Sequence, residues 1–472
     1  MAKTYLFYDL ETSGINKSFD QIMQFAAIRT DVNLNEIERV EFLVKLNPDT
    51  IVDPQALVVH HIPISKVNRD GISEYDAALK IHELINTPNT VSIGYNNLGF
   101  DDEFLRFTFF RNLLSSYTHQ FADGCFRMDL YPMVALYYLY DNGRLKFPIT
   151  DDKVSLKLEL LNQENGFFKN GRSHDAMVDV EVTIGLARAL KGNSSMWDYL
   201  EKKFNKLNDE DVLKKLNTGV VVKGEEYQQA IMISGHFGGD NSYHIPVINL
   251  GQHRVYRNQT CWLRLDSPKL REINEECIEK KIWVQKKKWG EPPFILPVKS
   301  KYTRGFTNTR INEIKKNKEW IDNNPDKFLS IVEIILDRRH DEIKNIDIDA
   351  SLYSSDFIKN WEQKICNEFH KRDICGKVNL LDELEGGLRS RAIRILGRLN
   401  FNLLSDRYKD EYYEYIEKVS SFDENDYLID YRGNKRRSVP DAFDRIQELK
   451  DNYQLSKEQI NLLDELEEYI SQ

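Results

Sequence analysis

The sequence predicts an α/β domain at the start of the chain, a β domain in the middle and an all-α domain at the end. Three observations predict it. The first fifty residues hold three strand-like runs, and amphipathic helical stretches follow them. Residues 229–299 carry short runs rich in Ile, Val, Trp and Thr between Gly and Asn turns. From about residue 350 the apolar spacing is helical. With 472 residues, two to four domains are expected at roughly 100–200 residues each. A 41% hydrophobic content is enough for sizeable cores, and no apolar run approaches the ~18 residues of a membrane span. The chain enters a strand within four residues, which argues against a signal peptide. Cys125, Cys261, Cys277, Cys366 and Cys375 are scattered and odd in number, without a Cys-x-x-Cys pair, so reduced thiols in a cytoplasmic protein are expected.

The net charge of −10 argues mildly against nucleic acid as a partner, but it is unevenly spread. Residues 251–320 hold 17 Lys and Arg against 8 Asp and Glu, whereas residues 441–472 hold 3 against 9. The basic stretch also carries aromatic residues, with Trp283, Lys286, Lys287, Lys288, Trp289, Lys299, Lys301, Tyr302 and Arg304. Cations track phosphates and rings stack on unpaired bases. The plainer reading is a solvated loop with core tryptophans.

Taken in order, Thr4 to Gly14 (TYLFYDLETSG) opens the first domain. Tyr5 to Tyr8 is an apolar, aromatic run of the buried-strand kind. Alternation puts Asp9 and Glu11 on one face with Tyr5 and Phe7, and Leu6, Tyr8 and Leu10 on the other. Two acids on one face at the mouth of a buried strand repel each other and lose hydration, and a cation between them removes both costs. Read alone, the pair is more simply two solvated acids at a strand end. Residues 21–31 and 40–46 read as the second and third strands. His60 and His61 have nothing near them at ligand spacing and read as loop or helix-end residues.

Residues 76–86 form an amphipathic helix, and 91–96 a short buried strand that runs into a helix from Asn97 to about Leu114. Asp101 lies in its first turn, where the helix dipole favours an acid. Phe100, Phe104, Leu105 and Phe109 surround it, however, and a carboxylate there needs a partner. Residues 130–140 and 153–161 read as helices, and Ser173 as the N-cap of a helix ending at Leu190. On that helix Ala176, Asp179, Val182, Leu186 and Leu190 share one stripe. Asp179 therefore faces the core, where a charge is rare unless paired or metal-bound. A His at the position of His174 more often packs or caps than catalyses. Residues 196–228 read as a charged helical connection, and 229–235, 243–250, 260–265 and 294–299 as strands. Residues 357–369, 380–391, 409–419, 442–453 and 457–470 read as helices.

Each acid is a weak signal alone, but the set resembles the DEDDh 3′→5′ exonucleases. That family's motifs read here as Asp9-Leu-Glu-Thr-Ser-Gly14, Asn97-Leu-Gly-Phe-Asp101 and His174 with Asp179 five residues later. Where the family commonly has Gly-Ile, this chain has His61-Ile62, which leaves the role of that loop open. Residues 94–103, 174–179 and 233–238 resemble one bacterial branch of the family over the whole chain. The resemblance implies an RNase H-like exonuclease domain with a mixed sheet and flanking helices (1–195). An SH3-like β domain contacting single-stranded DNA (196–348) and a helical C-terminal domain (349–472) follow.

Phosphodiester hydrolysis needs an activated water and a stabilised leaving oxygen, and two divalent ions in a carboxylate cluster supply both. Oxygen ligands suit Mg²⁺, with Mn²⁺ as the alternative. Asp9 would bridge the ions, Glu11, Asp101 and Asp179 would complete their shells, and His174 would be the general base. The resemblance also gives Glu11 and Thr12 contacts with the 3′-terminal nucleotide and Asn97 a substrate contact. Arg106 and Lys157 are weaker candidates for phosphate contacts, and Tyr117 and Phe121 for stacking. The implied function is 3′→5′ degradation of single-stranded DNA to 5′-mononucleotides in repair and recombination. The implied partner is the single-stranded DNA-binding protein through its acidic C-terminal tail, with a monomeric, cytoplasmic enzyme. The rival readings are an exoribonuclease, because the 2′-hydroxyl is what a site would use to choose; an inactive single-strand binder; and a scaffold, which leaves the buried acids unexplained.

Overall fold

β1 (Thr4–Thr12), β2 (Ile22–Thr30) and β3 (Glu36–Leu43) form an antiparallel meander. The structure is a computed structural model that describes every residue except Met1, Asn170, Ser173, 273–283, Phe357, Phe422, Glu424, Asn425 and Gln472. The expected cap at Ser173 and the expected stacking at Trp283 lie outside the described residues. α1 (Pro54–His60), α2 (Ile64–Asp70) and α3 (Glu74–Ile85) lead to β4 (Thr90–Gly94), which lies parallel to β1 on its other side. α4 (Asp101–Arg111) follows, then β5 (Phe126–Asp129), giving the sheet order β3-β2-β1-β4-β5. β5 carries no apolar alternation and was not legible in the sequence. Both faces of β1 are buried, with Tyr5 and Phe7 on one and Leu6, Tyr8 and Leu10 on the other. The second face packs on Ala78, Ile81 and Ile85 of α3 and Phe104, Leu105 and Phe109 of α4. Each such large apolar side chain contributes about 1.5–3 kcal/mol.

The chain continues through α5 (Leu130–Tyr140), the hairpin β6 (Ile149–Thr150) and β7 (Lys153–Val154), α6 (Leu158–Asn165) and α7 (Ala176–Lys191). The helix expected over 153–161 is thus half hairpin. Asp151 and Asp152 have φ of 50° and 60°, the left-handed pair that closes a two-residue hairpin turn. α8 (Ser194–Lys203) and α9 (Lys206–Glu210) bear out the charged helical connection only in part. β8 (Asn217–Val222) and β9 (Glu225–Ile233) turn around Lys223-Gly224, both at positive φ. β10 (His244–Gln252), β11 (Gln259–Arg264), β12 (Val284–Lys288) and β13 (Phe294–Pro297) complete a sheet ordered β12-β11-β10-β9-β13, with β8 also paired to β9.

Two helices not anticipated from the sequence, α10 (Asn308–Asn323) and α11 (Pro325–Asp337), cover one face of this second sheet. Ile321, Phe328, Ile331 and Ile335 meet Val220, Tyr227, Ile248 and Leu263 there. The last segment holds α12 (Asn360–Lys371), α13 (Ile374–Asn379), α14 (Gly386–Asn400), α15 (Asp406–Ser420), α16 (Val439–Asn452) and α17 (Lys457–Ile470). α14 starts six residues later than expected, because Gly386, at φ 51°, sits where the chain turns into the helix.

The chain packs as two compact units, neither of them one contiguous stretch. One comprises residues 1–127, 170–181 and 342–472, and the other 128–169 and 182–341. In the first, Leu462, Leu463 and Leu466 of α17 pack with Leu57 and Val58 of α1 and with Met23. The same unit holds a buried charge network in which Asp49 receives Arg398 at 2.7 Å and the Tyr415 hydroxyl at 2.5 Å.

Candidate active site

Because β1 and β4 run parallel, their carboxyl ends open at the same edge of the sheet, the usual place for a site in such folds. β1 delivers Asp9 and Glu11 to that edge on one face. β4 runs through a short turn into α4, whose first residue is Asp101. α7 brings Asp179 in its first turn. Its start is docked beside Glu11 through β2, since Gln24 pairs with Glu11 across the ladder and its Oε1 accepts from the Ala176 N–H at 3.5 Å. The His174 N–H donates to Asp179 Oδ2 at 3.2 Å, with His174 in the left-handed region at φ 62°.

Glu11, His174 and Asp179 each present a ligand atom within 4.8 Å of the others. Asp9 and Asp101 belong to the same electrostatic cluster. Burial raises the Asp9 carboxyl well above the carboxylate range, and Asp101, Asp179, Glu11 and Asp175 add to it. Glu11 is pushed up to about 9 by burial, Asp179, Asp101 and Asp175. The neighbouring charges that shift these two groups most are all acids. Such a set of oxygens plus one imidazole is unfavourable when ionised alone and fits a divalent cation, which reverses the local pKa logic. The sequence reading missed Asp175. Its Oδ1 accepts from the Met177 and Val178 N–H groups at 3.1 and 3.3 Å, so it caps α7. Its position just before the helix was the available signal.

The remaining candidates are placed as follows. The Thr12 hydroxyl donates to the Gly14 carbonyl at 2.7 Å and shapes the turn after the strand. Gly14 is required there because a Cβ would lie 2.4 Å from Asp20 Oδ2. Asn97 is fully buried and donates to the Tyr8 hydroxyl at 3.3 Å, a bond that ties the turn before Asp101 to β1. Arg106 is also buried. It pairs with Asp102 at 2.9 Å and with Glu103, a setting that engages its guanidinium within the protein rather than with a phosphate. Asp102 takes Arg127 at 2.6 Å and His119 at 2.8 Å as well, which anchors the first turn of α4. Lys157 is exposed at the N-cap of α6, in the second unit. Tyr117 is half-buried with the Arg106 guanidinium 5.5 Å from its ring centre, whereas Phe121 is exposed. His60 ends α1 and His61 is its left-handed C-cap, as expected of helix-end residues.

The basic stretch divides. Lys287 is fully buried, and its ammonium is bound by Asp209 and the Glu291 carbonyl, so it is a core ion pair and not a phosphate contact. Lys301, Tyr302 and Arg304 instead line a cavity of about 410 Å³ in the second unit, with Leu136, Leu139 and Leu200 among its apolar walls.

The family model for "Exonuclease" matches residues 6–187, the stretch that carries all five residues. That match and the curated relatives support a hydrolytic nuclease. The exodeoxyribonuclease I of Buchnera aphidicola (subsp. Schizaphis graminum) is 27% identical over 99% of this chain and 95% of its own. A structure of Escherichia coli exonuclease I in complex with a dA16 oligonucleotide matches with a TM-score of 0.82 at 24% identity, covering 99% of each chain. An ExoI/SSB-Ct complex matches at 0.81 and 23%, covering 100% of this chain and 99% of that one. The chain is thus similar over nearly its whole length to bacterial exodeoxyribonucleases I.

Proposed function

We propose that the chain shortens single-stranded DNA from its 3′ end, releasing 5′-mononucleotides, in DNA repair and recombination. The observation that carries the chemistry is the meeting of Glu11, His174 and Asp179 within 4.8 Å, in the same cluster as Asp9 and Asp101. Asp9, Glu11, Asp101 and Asp179 would hold the divalent cations. Mg²⁺ is our first choice and Mn²⁺ the second, because the donors are mostly hard oxygens. Bound there, the cations supply positive charge for the attacking and leaving oxygens. His174, exposed at the edge of the cluster, is placed to take a proton from the attacking water. The burial of Glu11 and Asp101 keeps the acid cluster largely out of bulk water and so strengthens its hold on a cation.

We assign the partner as the single-stranded DNA-binding protein, through its acidic C-terminal tail, and place that tail in the cavity of the second unit. Apolar walls there suit a buried side chain, and the exposed Lys301 and Arg304 suit acidic residues. Replacing Lys301 by Glu should weaken binding of a fluorescent peptide copy of that tail at least tenfold without slowing cleavage of short DNA; unchanged peptide affinity would remove the cavity from consideration. We read the protein as a cytoplasmic monomer with sequence borders near residues 195 and 348. Among the described residues no helix is long and apolar enough to cross a membrane.

The function is tested with 5′-labelled single-stranded DNA, the same sequence as RNA, and blunt duplex, each with Mg²⁺, Mn²⁺ or EDTA. A metal-dependent ladder shortening from the 3′ end on single-stranded DNA is expected. Faster loss of the RNA would move the substrate to RNA, and a mobility shift without shortening would leave only binding.

A further inference from the structure

Resting on that reading and deepening it, we propose that Arg172 and Glu458 are positioning residues for His174, because their ion pair ties the backbone that carries the imidazole to α17. The need for such a tie lies in the backbone itself. Gly171 and His174 both have left-handed φ, 93° and 62°. For Gly171 this carries no steric cost, and a Cβ there would lie 2.3 Å from Val178 Cγ2. For His174 it is a sparsely populated conformation that persists only where the surroundings hold it. One hold is its own N–H, which donates to Asp179 Oδ2 at 3.2 Å. The residue is exposed, so little packing adds to that bond.

The second hold comes from far along the chain, within the same unit. Arg172 lies two positions before His174 and meets Glu458 with both ends of its guanidinium. Nη1 donates to Oε1 and Nη2 to Oε2, each at 3.0 Å. Glu458 is itself well placed. It sits in the first turn of α17, where the helix dipole favours an acid. Ser456 caps that turn in a reciprocal pair with Gln459. The turn is bound to α1, since the Gln459 amide donates to the Val58 carbonyl at 3.0 Å and Leu462 and Leu463 pack with Leu57 and Val58.

His61 completes the arrangement. As the C-cap of α1 at φ 60° it occupies a conformation that favours Gly, and its Nδ1 lies 3.5 Å from Glu458 Oε2. The hydrogen bond from Arg172 holds the Glu458 carboxyl below its ordinary range, with a smaller contribution from His61. Burial and then Arg172 push the His61 imidazole down, Glu458 pulls it up, and His174 adds a smaller downward push. His174 therefore stands within electrostatic reach of the tie. An isolated exposed ion pair is usually worth little. This one differs in its two-point geometry, which fixes direction as well as distance, and in acting two residues from a strained backbone position. A misplacement of about 1 Å at a reacting group is enough to slow a reaction.

The test is a double-mutant cycle on the full chain, Glu458→Gln with and without His174→Ala. It reads the single-turnover rate on a short single-stranded DNA with Mg²⁺, together with KM and the melting temperature. Glu458→Gln should lower the rate about fivefold, the rate equivalent of a well-formed exposed pair, with KM and melting temperature unchanged. In the His174→Ala protein the same substitution should lower the rate less than about twofold, because the group being positioned is gone. Arg172→Gln should repeat the result from the other side of the pair, and the two together should cost no more than either alone. Unchanged rates in both Glu458→Gln and Arg172→Gln would overturn the proposal. So would equal losses with and without His174, which would make the pair a support for the fold. A His174→Ala protein as fast as wild type would overturn the reading of His174 as the base, an outcome distinct from failure of the tie.

Discussion

Two clusters of buried acids lie in the first unit and have opposite electrostatics. Around Asp49, burial pushes the carboxyl up, yet Arg398 and Arg436 hold it well below the carboxylate range. Asp349 is held low in the same way by Arg394 and Arg398. Around Asp9 and Glu11, burial raises the carboxyls and the neighbouring acids raise them further. The same residue type is thus a cross-link in one place and, on the proposed reading, a cation trap in the other. The difference teaches that burial alone does not mark a functional acid; what marks it is the sign of the charges around it.

The sharpest way to break this comparison is to remove one acid from each cluster. Asp9→Ala should reduce cleavage to background while leaving DNA binding in EDTA and the melting temperature of the metal-free protein equal or higher; full activity would remove the cluster from the chemistry. His174→Ala should slow the chemical step about 10²–10⁴-fold, as expected for a lost general base, with metal affinity kept. A fall in metal affinity alone, seen by calorimetry, would make His174 a ligand. Asp49→Asn should do the reverse of Asp9→Ala. It takes the Asp49 carboxylate from Arg436 and from Arg398, which keeps only Asp349 and a more distant Glu74, and should cost about 3–5 kcal/mol in denaturant unfolding, with activity per folded molecule preserved.

The smallest effect is a linkage. A carboxyl whose folded pKa is raised favours the folded state when protonated, so metal-free stability should fall as pH rises above the unfolded value near 4.5 and level off above about 9 for Glu11. Glu11→Gln should flatten that slope. Mg²⁺ should raise the melting temperature more at pH 8.5 than at pH 6, by a difference of roughly 5 °C. Equal Mg²⁺ shifts at the two pH values would mean that the raised carboxyls are not the ones that bind it.

Local periodicity wrote much of this molecule into its sequence. The alternation of β1 set Asp9 and Glu11 on one face, the spacing of α7 aligned Asp179 with Val182, Leu186 and Leu190, and α5 appears at residues 130–140 as expected. These are properties of a strand or helix taken by itself, and a short stretch of chain suffices to fix them. Tertiary structure decided the rest. It set β4 parallel to β1, so that Asp101 meets the strand acids. It buried Lys287 against Asp209 and Arg106 against Asp102, turning two expected phosphate contacts into ion pairs. It also folded residues 342–472 onto the first 127, placing Glu458 beside His61 and Arg172. Such contacts join residues tens to hundreds of positions apart, and no local pattern of apolar and polar residues encodes which distant partner a charge will meet.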